Sequence, residues 1–377
     1  MRHTQKPLSK HAPESLAHFY KYCISHSFPF AFYRLPGTEI VKVLAQQTTT
    51  LHKLKSGTDY SKREGFVVAP FVANTKAAPF IIEPEIFWSE KYLPQFGPAK
   101  PHVFKHKSDD DDDEPVKDTP EKKAYMQLVN SIQKSIEAGK HKKVVAARTI
   151  TKNKPEGFND LAFFRALCKK YPRAFISLVY TKQYGLWIGA SPEILLEHSG
   201  DEFKTYSLAG TKANTPANKQ TPWGKKEIEE QQIVTEYISE CLKKVMKKTE
   251  VTQKTDTIAA GNILHLRTTF SFEAETPARW QKLVEELHPT PAVAGLPKAA
   301  ALKFIAANEK APRGFYCGYL GPVNMDSQIN LYVNLRCMQV LDKKLTLHVG
   351  CGITAHSKAE DEWKETEIKA QTLLSVL

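Results

Sequence analysis

The order in which strands and helices follow one another constrains the fold of this chain most strongly. After a predicted helix at 121–138 and a predicted strand at 144–150, strands and helices alternate irregularly, and turns such as Ser199-Gly200-Asp201 join strands directly. No glycine-rich phosphate loop opens a helix, so a nucleotide cofactor is not expected, and no internal repeat is visible. Because the polar features described below come from distant segments, we predict one α+β domain.

Composition divides the chain into three parts. Residues 1–107 are rich in aromatic side chains and irregular, with short strand-like runs at 66–69 and 80–82, and we interpret them as a divergent part of the same fold. Residues 108–120 contain five consecutive aspartates followed by Glu114. We predict a solvated acidic loop there rather than a metal site, because like charges repel. Residues 121–377 carry almost all of the motifs.

Charge and cysteine usage exclude several classes of protein. The net charge is +12, but the lysines are spread along the chain, so a nucleic-acid partner is not expected. No apolar run is long enough to span a membrane, and the first ten residues do not resemble a signal peptide. The six cysteines show no metal-binding spacing. We therefore expect buried free thiols in a reducing compartment, the cytoplasm.

Two predicted helices direct carboxylates toward the interior. An apolar stripe at helical spacing follows Glu230 as far as position 245, and Glu362, Glu365 and Lys369 share one helix face. Inward carboxylates require a partner or a cation. Three of them on two helices would suit Mg²⁺, which prefers oxygen ligands. From spacing alone, helix-surface charges with partners four residues away are the stronger interpretation.

Two predicted strands near the C-terminus carry features that could hold an anion. Residues 329–338 alternate apolar with polar side chains, and the polar face includes Arg336. Arginine grips carboxylates with two parallel hydrogen bonds, but this face could equally meet solvent. A second strand at 345–349 runs into Gly350 and Gly352, whose backbone N–H groups could approach an anion. For so short a pair of glycines, a tight turn is the stronger interpretation.

Together these segments resemble one family, and the resemblance covers 142–377. The matching stretches follow one another in the family's order. They are Lys143-Val144-Val145-Ala146-Ala147-Arg148, Gly189-Ala190-Ser191-Pro192-Glu193, Leu208-Ala209-Gly210-Thr211-Lys212, Lys226-Glu227-Ile228-Glu229-Glu230, His265-Leu266, the segment from His288 to Lys298, Arg313-Gly314-Phe315-Tyr316, Leu335-Arg336-Cys337, Gly350-Cys351-Gly352-Ile353, and Glu362-Trp363-Lys364-Glu365-Thr366 with Lys369. On these motifs the chain is identified as a member of the chorismate-utilising enzymes.

Two positions indicate the branch of that family. Ammonia-using members such as anthranilate synthase carry glutamine where this chain has Lys143, and aminodeoxychorismate synthases commonly carry a nucleophilic lysine where it has Ala209. The combination resembles the water-using branch, which comprises isochorismate and salicylate synthases. The chain departs from the family pattern at Glu227, Lys212 and Gln231, where Asp, Arg and His are common. We expect Gln231 to lack a hydrogen-bond donor that the histidine would supply.

The resemblance implies a reaction and a set of site residues. The expected reaction converts chorismate to isochorismate, with water added at C2 and the C4 hydroxyl lost. Lys143 is expected to be the base that activates water, and Glu193 the acid that protonates the leaving hydroxyl. The residues expected at the substrate are Ala209, Gly210, Thr211, His265, Tyr316, Arg336, Gly350, Gly352 and Lys369. Those expected to hold Mg²⁺ are Glu230 and Glu365, with Glu362 and Glu227 as water-mediated helpers.

The resemblance also implies a fold and partners. Within a single domain, two large antiparallel sheets are expected to pack together with helices outside, and 121–377 to form the chorismate-binding catalytic region. We expect a monomer that needs no glutaminase subunit and has no membrane partner. Menaquinone synthesis is the expected destination of the product, with siderophore synthesis as the alternative. Three other hypotheses remain, namely a salicylate synthase, an ammonia-using synthase and a basic binding protein that has lost catalysis.

Overall fold

The computed structural model describes residues 15–54, 61–74, 76–91, 119–247, 249–260, 263–274 and 276–377. The strands of these segments are β1 (Phe30–Arg34), β2 (Ile40–Ala45), β3 (His52–Lys53), β4 (Gly65–Ala69), β5 (Phe80–Ile82), β6 (Ile86–Lys91), β7 (Lys143–Asn153), β8 (Phe175–Thr181), β9 (Gly185–Ser191), β10 (Ile194–Ser199), β11 (Glu202–Ala213), β12 (Val251–Ala260), β13 (Ile263–Phe272), β14 (Gly295–Leu296), β15 (Tyr319–Met325), β16 (Gln328–Val333), β17 (Cys337–Val340) and β18 (Lys344–Ile353). The helices are α1 (Leu16–His26), α2 (Pro120–Glu137), α3 (Asp160–Lys170), α4 (Pro216–Gln220), α5 (Lys225–Val245), α6 (Pro277–Leu287), α7 (Lys298–Asn308) and α8 (Ala359–Leu374).

These strands form two antiparallel sheets of nine strands each. The order in the first sheet is β14-β7-β18-β17-β9-β8-β1-β2-β6, and the order in the second is β12-β13-β11-β10-β16-β15-β4-β5-β3. Helices α1 and α3 cover the outer face of the first sheet, while α5 and α6 pack against the second. The predicted class, two large packed antiparallel sheets with helices outside, is confirmed.

The central strands are buried on both faces. In β1, Phe30 and Phe32 pack with the helices outside the first sheet, whereas Ala31 and Tyr33 face the second sheet. This division follows from the alternation of side chains along a strand. The same burial explains why the predicted strands at 66–69 and 80–82 have continuous apolar sequences, which are typical of strands inside a sandwich.

The strands that precede α2 extend both sheets. Strands β1, β2 and β6 lie together in the first sheet, where β1 pairs with β8. Strands β3, β4 and β5 lie together in the second, where β4 pairs with β15. The interface between the sheets therefore draws on the N-terminal third as well as on the motif-rich remainder. The aspartate block predicted as a solvated loop lies outside the described residues.

Two of the connections that cross from one sheet to the other carry Glu193 and Arg336. One runs from β9 of the first sheet to β10 of the second, and the other runs from β16 of the second sheet to β17 of the first. The two crossings lie side by side, because β9 pairs with β17 and β10 with β16. The prediction of one continuous strand at 329–338 is therefore wrong. Its alternation persists in β16, but Tyr332 on the polar face is buried between the sheets rather than at a site.

Several local predictions are confirmed. The helix predicted at 121–138 is α2, and the turn at Ser199-Gly200-Asp201 joins β10 to β11 with Gly200 at a φ of 65°. Beyond Glu230, the apolar stripe of α5 is buried at Val234, at Cys241 and at its last residue. All six cysteines are buried and free. Among the described helices, none is long and apolar enough to cross a membrane.

Candidate active site

Lys143 opens strand β7 and is only 4% exposed. Burial lowers the pKa of its amine, the charge of Glu230 opposes this shift, and the ammonium of Lys369 reinforces it. The carboxylates of Glu193 and Glu365 act in the same direction as Glu230. Charges from α5, from α8 and from the crossing after β9 therefore surround a single amine on the first sheet.

Glu193 occupies the crossing between β9 and β10. Its backbone N–H donates to Ser191 Oγ at 3.3 Å, and its carbonyl accepts from the Val333 N–H at 3.0 Å. Burial raises the pKa of its carboxyl to about 7, although the charges of Arg336 and Lys143 act to lower it. Such a carboxyl keeps its proton on a substantial fraction of molecules near neutral pH, as a general acid requires.

Arg336 occupies the crossing between β16 and β17, beside the one that holds Glu193. Its backbone is left-handed, with a φ of 48°, and its carbonyl accepts from the Ala190 N–H at 3.0 Å. A non-glycine residue in this region costs about 1 kcal/mol or more and persists where its surroundings enforce it. Here two antiparallel strands change sheets together, which fixes the backbone. The guanidinium charge acts on Glu193 and on the α8 residues Glu365 and Lys369.

Helix α8 brings Glu365 and Lys369 against strand β18. Their side chains form an ion pair of 2.6 Å four residues apart, and the Lys369 amine also donates to the Gly350 carbonyl at 2.9 Å. The structure thus shows the pairing that spacing alone favoured, in which Glu365 has a partner four residues away on its own helix. The Glu365 side chain is 48% exposed, yet the charges of both residues act on Lys143. Burial opposes ionisation of both groups, yet their mutual attraction holds the Glu365 pKa below and the Lys369 pKa above its usual value.

Gly350 and Gly352 lie inside strand β18, not at a turn, so the tight-turn interpretation is wrong. They pair with Ala147 and Val145 of β7. A Cβ at Gly352 would lie 3.1 Å from Lys143 Nζ and 2.5 Å from its Cε, and one at Gly350 would lie 3.0 Å from the Tyr316 hydroxyl. Both glycines therefore make room for predicted site residues. Their predicted contact with a substrate carboxylate stays a prediction.

The remaining predicted substrate residues lie on the second sheet and in the core. Ala209, Gly210 and Thr211 belong to β11, whose register with β13 shifts between Leu208 and Gly210. Bulges of this kind are frequent next to active sites. His265 in β13 pairs directly with Thr211 and is half-buried. Tyr316 is buried, and its ring stacks on His348 with centroids 5.3 Å apart.

Two of the four predicted metal ligands lie in one group of ligand atoms. Within the described residues, oxygens of Glu362 and Glu365 and the Cys351 sulfur lie within 4.8 Å of one another. Glu230 is outside that group but near enough for its charge to act on Lys143. Glu227 lies in the first turn of α5, where a Cβ at Gly224 would approach its Oε2 to 2.5 Å. The carboxylate donors suit Mg²⁺, whereas the thiol does not.

Gln231 corrects the expectation of a lost donor. The residue is buried, and its Nε2 donates to the Ser207 carbonyl at 3.0 Å, to Ser207 Oγ at 2.6 Å and to Thr268 Oγ1 at 3.0 Å. The amide therefore supplies donors where we expected none. It fastens α5, the helix that carries Glu230, to strands β11 and β13.

Sequence reasoning missed a buried ion pair behind Lys143. Arg313 and Glu309 pair with both side chains almost inaccessible, and Arg313 also donates to the carbonyls of Val145 and Val293. The Glu309 carboxylate accepts from the Ala147 N–H at 3.0 Å. The pair thus fixes strand β7 just beyond Lys143. The motif that begins at Arg313 pointed to this position, but its partner lies in a loop without periodicity.

Arg148 was also missed as a contact to α8. Its guanidinium stacks on Trp363 at 3.7 Å from the ring centroid, its Nε donates to Thr366 Oγ1 at 2.9 Å, and it pairs with Glu367. These contacts fasten the helix that carries Glu362 and Glu365 to strand β7. The motif from Lys143 to Arg148 included this residue, but its sequence gives no partner.

Known proteins resemble the chain in sequence and in fold. Isochorismate synthase EntC from Escherichia coli (strain K12) is 28% identical over 264 residues, which are 68% of this chain and 68% of that protein. Isochorismate synthase DhbC from Bacillus subtilis (strain 168) is 27% identical over 319 residues, 80% of this chain and 78% of that one. The structure of MenF, the menaquinone-specific isochorismate synthase from Escherichia coli, superposes with a TM-score of 0.72 at 20% identity, covering 93% of this chain and 89% of that chain.

A family model gives the assignment. The model described as chorismate binding enzyme matches residues 62–377, well over half of the chain. The match includes Lys143, Glu193 and the α8 carboxylates, and it begins before β4, earlier than the motifs alone had indicated. The chain therefore belongs to the chorismate-binding enzyme family.

Proposed function

We propose that this protein is an isochorismate synthase, which converts chorismate to isochorismate by exchanging a ring hydroxyl for water. One observation carries the proposal. A buried amine with a lowered pKa, Lys143, and a buried carboxyl with a raised pKa, Glu193, act on each other within one cluster of charges. Opposite shifts of this kind suit a base and an acid that work at the same pH. The relatives EntC and DhbC carry the same name as the proposed activity.

Lys143 is proposed to remove a proton from the attacking water. A lysine can do so only as a neutral amine, and burial favours the neutral form. Gly352 leaves space beside Nζ, because a Cβ at that position would lie only 3.1 Å away. A water beside this amine would be held against the β18 backbone. The attack then forms the new carbon–oxygen bond at C2 of the ring.

Glu193 is proposed to give its proton to the departing C4 hydroxyl, which leaves as water. Its position at the crossing fixes the backbone on both sides, through the Ser191 hydroxyl and the Val333 N–H. The proton removed by Lys143 and the proton given by Glu193 balance over one turnover. Exchange between the two groups through solvent restores the starting state.

The cationic side chains of the cluster are proposed to hold the carboxylates of chorismate. Arg336 presents a planar guanidinium that can make two parallel hydrogen bonds to a carboxylate. Lys369 contributes an ammonium that the Glu365 pair and the Gly350 carbonyl already orient. Oriented groups lose little freedom when the substrate binds, which favours a well-defined pose.

Mg²⁺ is proposed as the cofactor, held by Glu230 and Glu365 with Glu362 and Glu227 as helpers. When bound, the ion would neutralise the ring carboxylate and draw electron density from the diene. Glu362 and Glu365 lie one turn apart on α8, so their carboxylates share a face. The stacking of Arg148 on the Trp363 ring fastens this helix to strand β7.

The test is to incubate the pure protein with chorismate and Mg²⁺ and to identify the products by chromatography and mass. The proposal expects isochorismate in an equilibrium mixture with chorismate, and no amino product when ammonium is added. Salicylate and pyruvate from the earliest times would identify a salicylate synthase instead. Anthranilate or an aminodeoxy product would contradict the assignment of Lys143 to water.

The pathway is a finer proposal. We infer that the product enters menaquinone synthesis, on the likeness of the fold to that of MenF. Deletion of the gene in its host should then lower menaquinone, and added menaquinone should restore growth. Loss of siderophore with normal menaquinone would contradict this destination.

A further inference from the structure

A thiol lies within the carboxylate group of helix α8. Cys351, between the two glycines of β18, is fully buried. Its sulfur lies within 4.8 Å of carboxylate oxygens of Glu362 and Glu365, which are themselves within that distance of each other. A strand and a helix thus bring three ligand atoms of two chemical kinds to one point.

These donors differ from the set that Mg²⁺ prefers. Mg²⁺ binds oxygen in near-octahedral geometry, whereas thiolate ligands select softer ions. Zn²⁺ accepts sulfur at about 2.3 Å and carboxylate oxygen at about 2.0–2.2 Å, commonly with four ligands. One cysteine and two carboxylates would satisfy three of those positions and leave the fourth for water.

The Lys369 ammonium is one group that an incoming ion would have to displace, and the Cys351 thiol would give up its hydrogen bond of 3.4 Å to the Glu362 carbonyl. Its Nζ lies 2.6 Å from Glu365 Oε1 and 3.8 Å from Cys351 Sγ. The Glu365 side chain is 48% exposed, and ion pairs at such positions are weak. The flexible lysine stem allows the ammonium to withdraw while the carboxylate stays on the helix.

We propose that Cys351, Glu362 and Glu365 bind a thiophilic divalent cation of the Zn²⁺ class, which competes with Mg²⁺ for Glu365. The thiol releases its proton to solvent when the sulfur coordinates the ion. Binding of the ion rests on the geometry of the three side chains. The competition rests on the proposed function, because Glu365 also belongs to the proposed magnesium site. Zn²⁺ should therefore inhibit turnover, and a chelator followed by Mg²⁺ should restore it.

Co²⁺ tests the site directly, because a cobalt–thiolate bond absorbs in the near ultraviolet. Co²⁺ titration of the wild-type protein should produce this absorption. Cys351→Ala and Cys351→Ser should lose it, and Zn²⁺, measured by competition, should bind them at least about tenfold more weakly. Cys168→Ala is the matched control, since it removes a buried thiol from α3, and it should retain the absorption. Absorption that persists without Cys351, or is absent from the wild type, would overturn the proposal.

A second measurement does not depend on any variant. X-ray absorption of the Zn²⁺-loaded wild type should show one sulfur at about 2.3 Å among oxygen ligands. A shell of oxygen alone would contradict the site even if the variants failed to fold. Turnover of chorismate with Mg²⁺ is scored separately. Cobalt–thiolate absorption without turnover would refute the proposed function and keep the thiol site, whereas turnover without the absorption would refute the site alone.

Discussion

Two regions of the molecule have opposite chemistry. One is the aromatic layer, formed by Tyr33, Phe66, Phe80, Phe175 and Tyr332 with their apolar neighbours. The rings of Phe175 on the first sheet and Tyr332 on the second stack with centroids 4.1 Å apart and planes 4° from parallel. The other is the charged cluster.

The charged cluster is formed by Lys143, Glu193, Arg336, Glu365 and Lys369. Burial there opposes ionisation of Lys143, Glu193, Glu365 and Lys369 alike. Groups held in this way cost stability unless each finds a partner. The aromatic layer therefore stabilises the pair of sheets, whereas the charged cluster lowers the stability of the fold and is explained by function.

The largest expected effect lies in the aromatic layer. Phe175→Ala should lower the free energy of unfolding by about 3–5 kcal/mol, because it removes a buried ring and leaves a cavity. Turnover per folded molecule should stay near wild type. Denaturant unfolding and an active-site titration measure the two quantities. Wild-type stability combined with lost turnover would reverse the roles that we give to the two regions.

Lys143→Ala and Glu193→Gln should produce the opposite pattern. Each should lower turnover by at least about 100-fold, the usual scale for a positioned acid or base, while the protein still folds. Steady-state kinetics with a thermal melt of each variant provide the measurement. Ile40→Ala, at an exposed position of β2, is a control expected to leave turnover unchanged. Near-normal turnover in either cluster variant would remove that residue from the mechanism.

The requirement for Mg²⁺ can be tested by comparing two acidic positions on helix α8. EDTA should abolish turnover and Mg²⁺ should restore it. Glu365→Ala should raise the Mg²⁺ concentration needed for half-maximal turnover by about tenfold or more, because a carboxylate ligand is lost. Asp361→Ala, an exposed acidic position on the same helix, is the matched control. A wild-type Mg²⁺ titration for Glu365→Ala, or an altered one for Asp361→Ala, would show that the ion is held elsewhere.

The last expected effect is a change of stability with pH. The folded protein raises the pKa of Glu193 from 4.5 to about 7, so it binds this proton more tightly than the unfolded chain does. This contribution to stability is therefore complete below pH 4.5 and is lost as the pH rises to about 7. Glu193→Gln should lack that loss. Denaturant unfolding should be measured at several pH values. Between pH 4.5 and about 7, the unfolding free energy of the wild type should fall relative to that of the variant. A constant difference would mean that the carboxyl is not desolvated.

The sequence predicted two strands of the aromatic layer, but it assigned Tyr332 of that layer to a polar face. The runs at 66–69 and 80–82 became strands β4 and β5, because a strand buried on both faces has few polar residues. The crossings were not predicted. The segment at 329–338 was predicted as one continuous strand, because a change of sheet at Arg336 depends on pairing with a distant strand.

The same reasoning applies to the partners of the site residues. Periodicity placed Glu362, Glu365 and Lys369 on one face of α8, and the structure has them there. It could not pair Arg313 with Val145, or identify the Cys351 sulfur as the neighbour of both carboxylates. Such contacts join segments far apart in the chain, and a local pattern carries no information about them.

The most direct measurement follows oxygen from the solvent. Chorismate, Mg²⁺ and the protein are combined in water enriched in heavy oxygen, and the isochorismate formed is analysed by mass spectrometry at early times. If the charged cluster activates water through Lys143 and expels the C4 hydroxyl through Glu193, each isochorismate molecule should carry one oxygen atom from the solvent. Isochorismate without solvent oxygen would mean that the hydroxyl migrates within the substrate, and it would contradict the roles proposed for both residues.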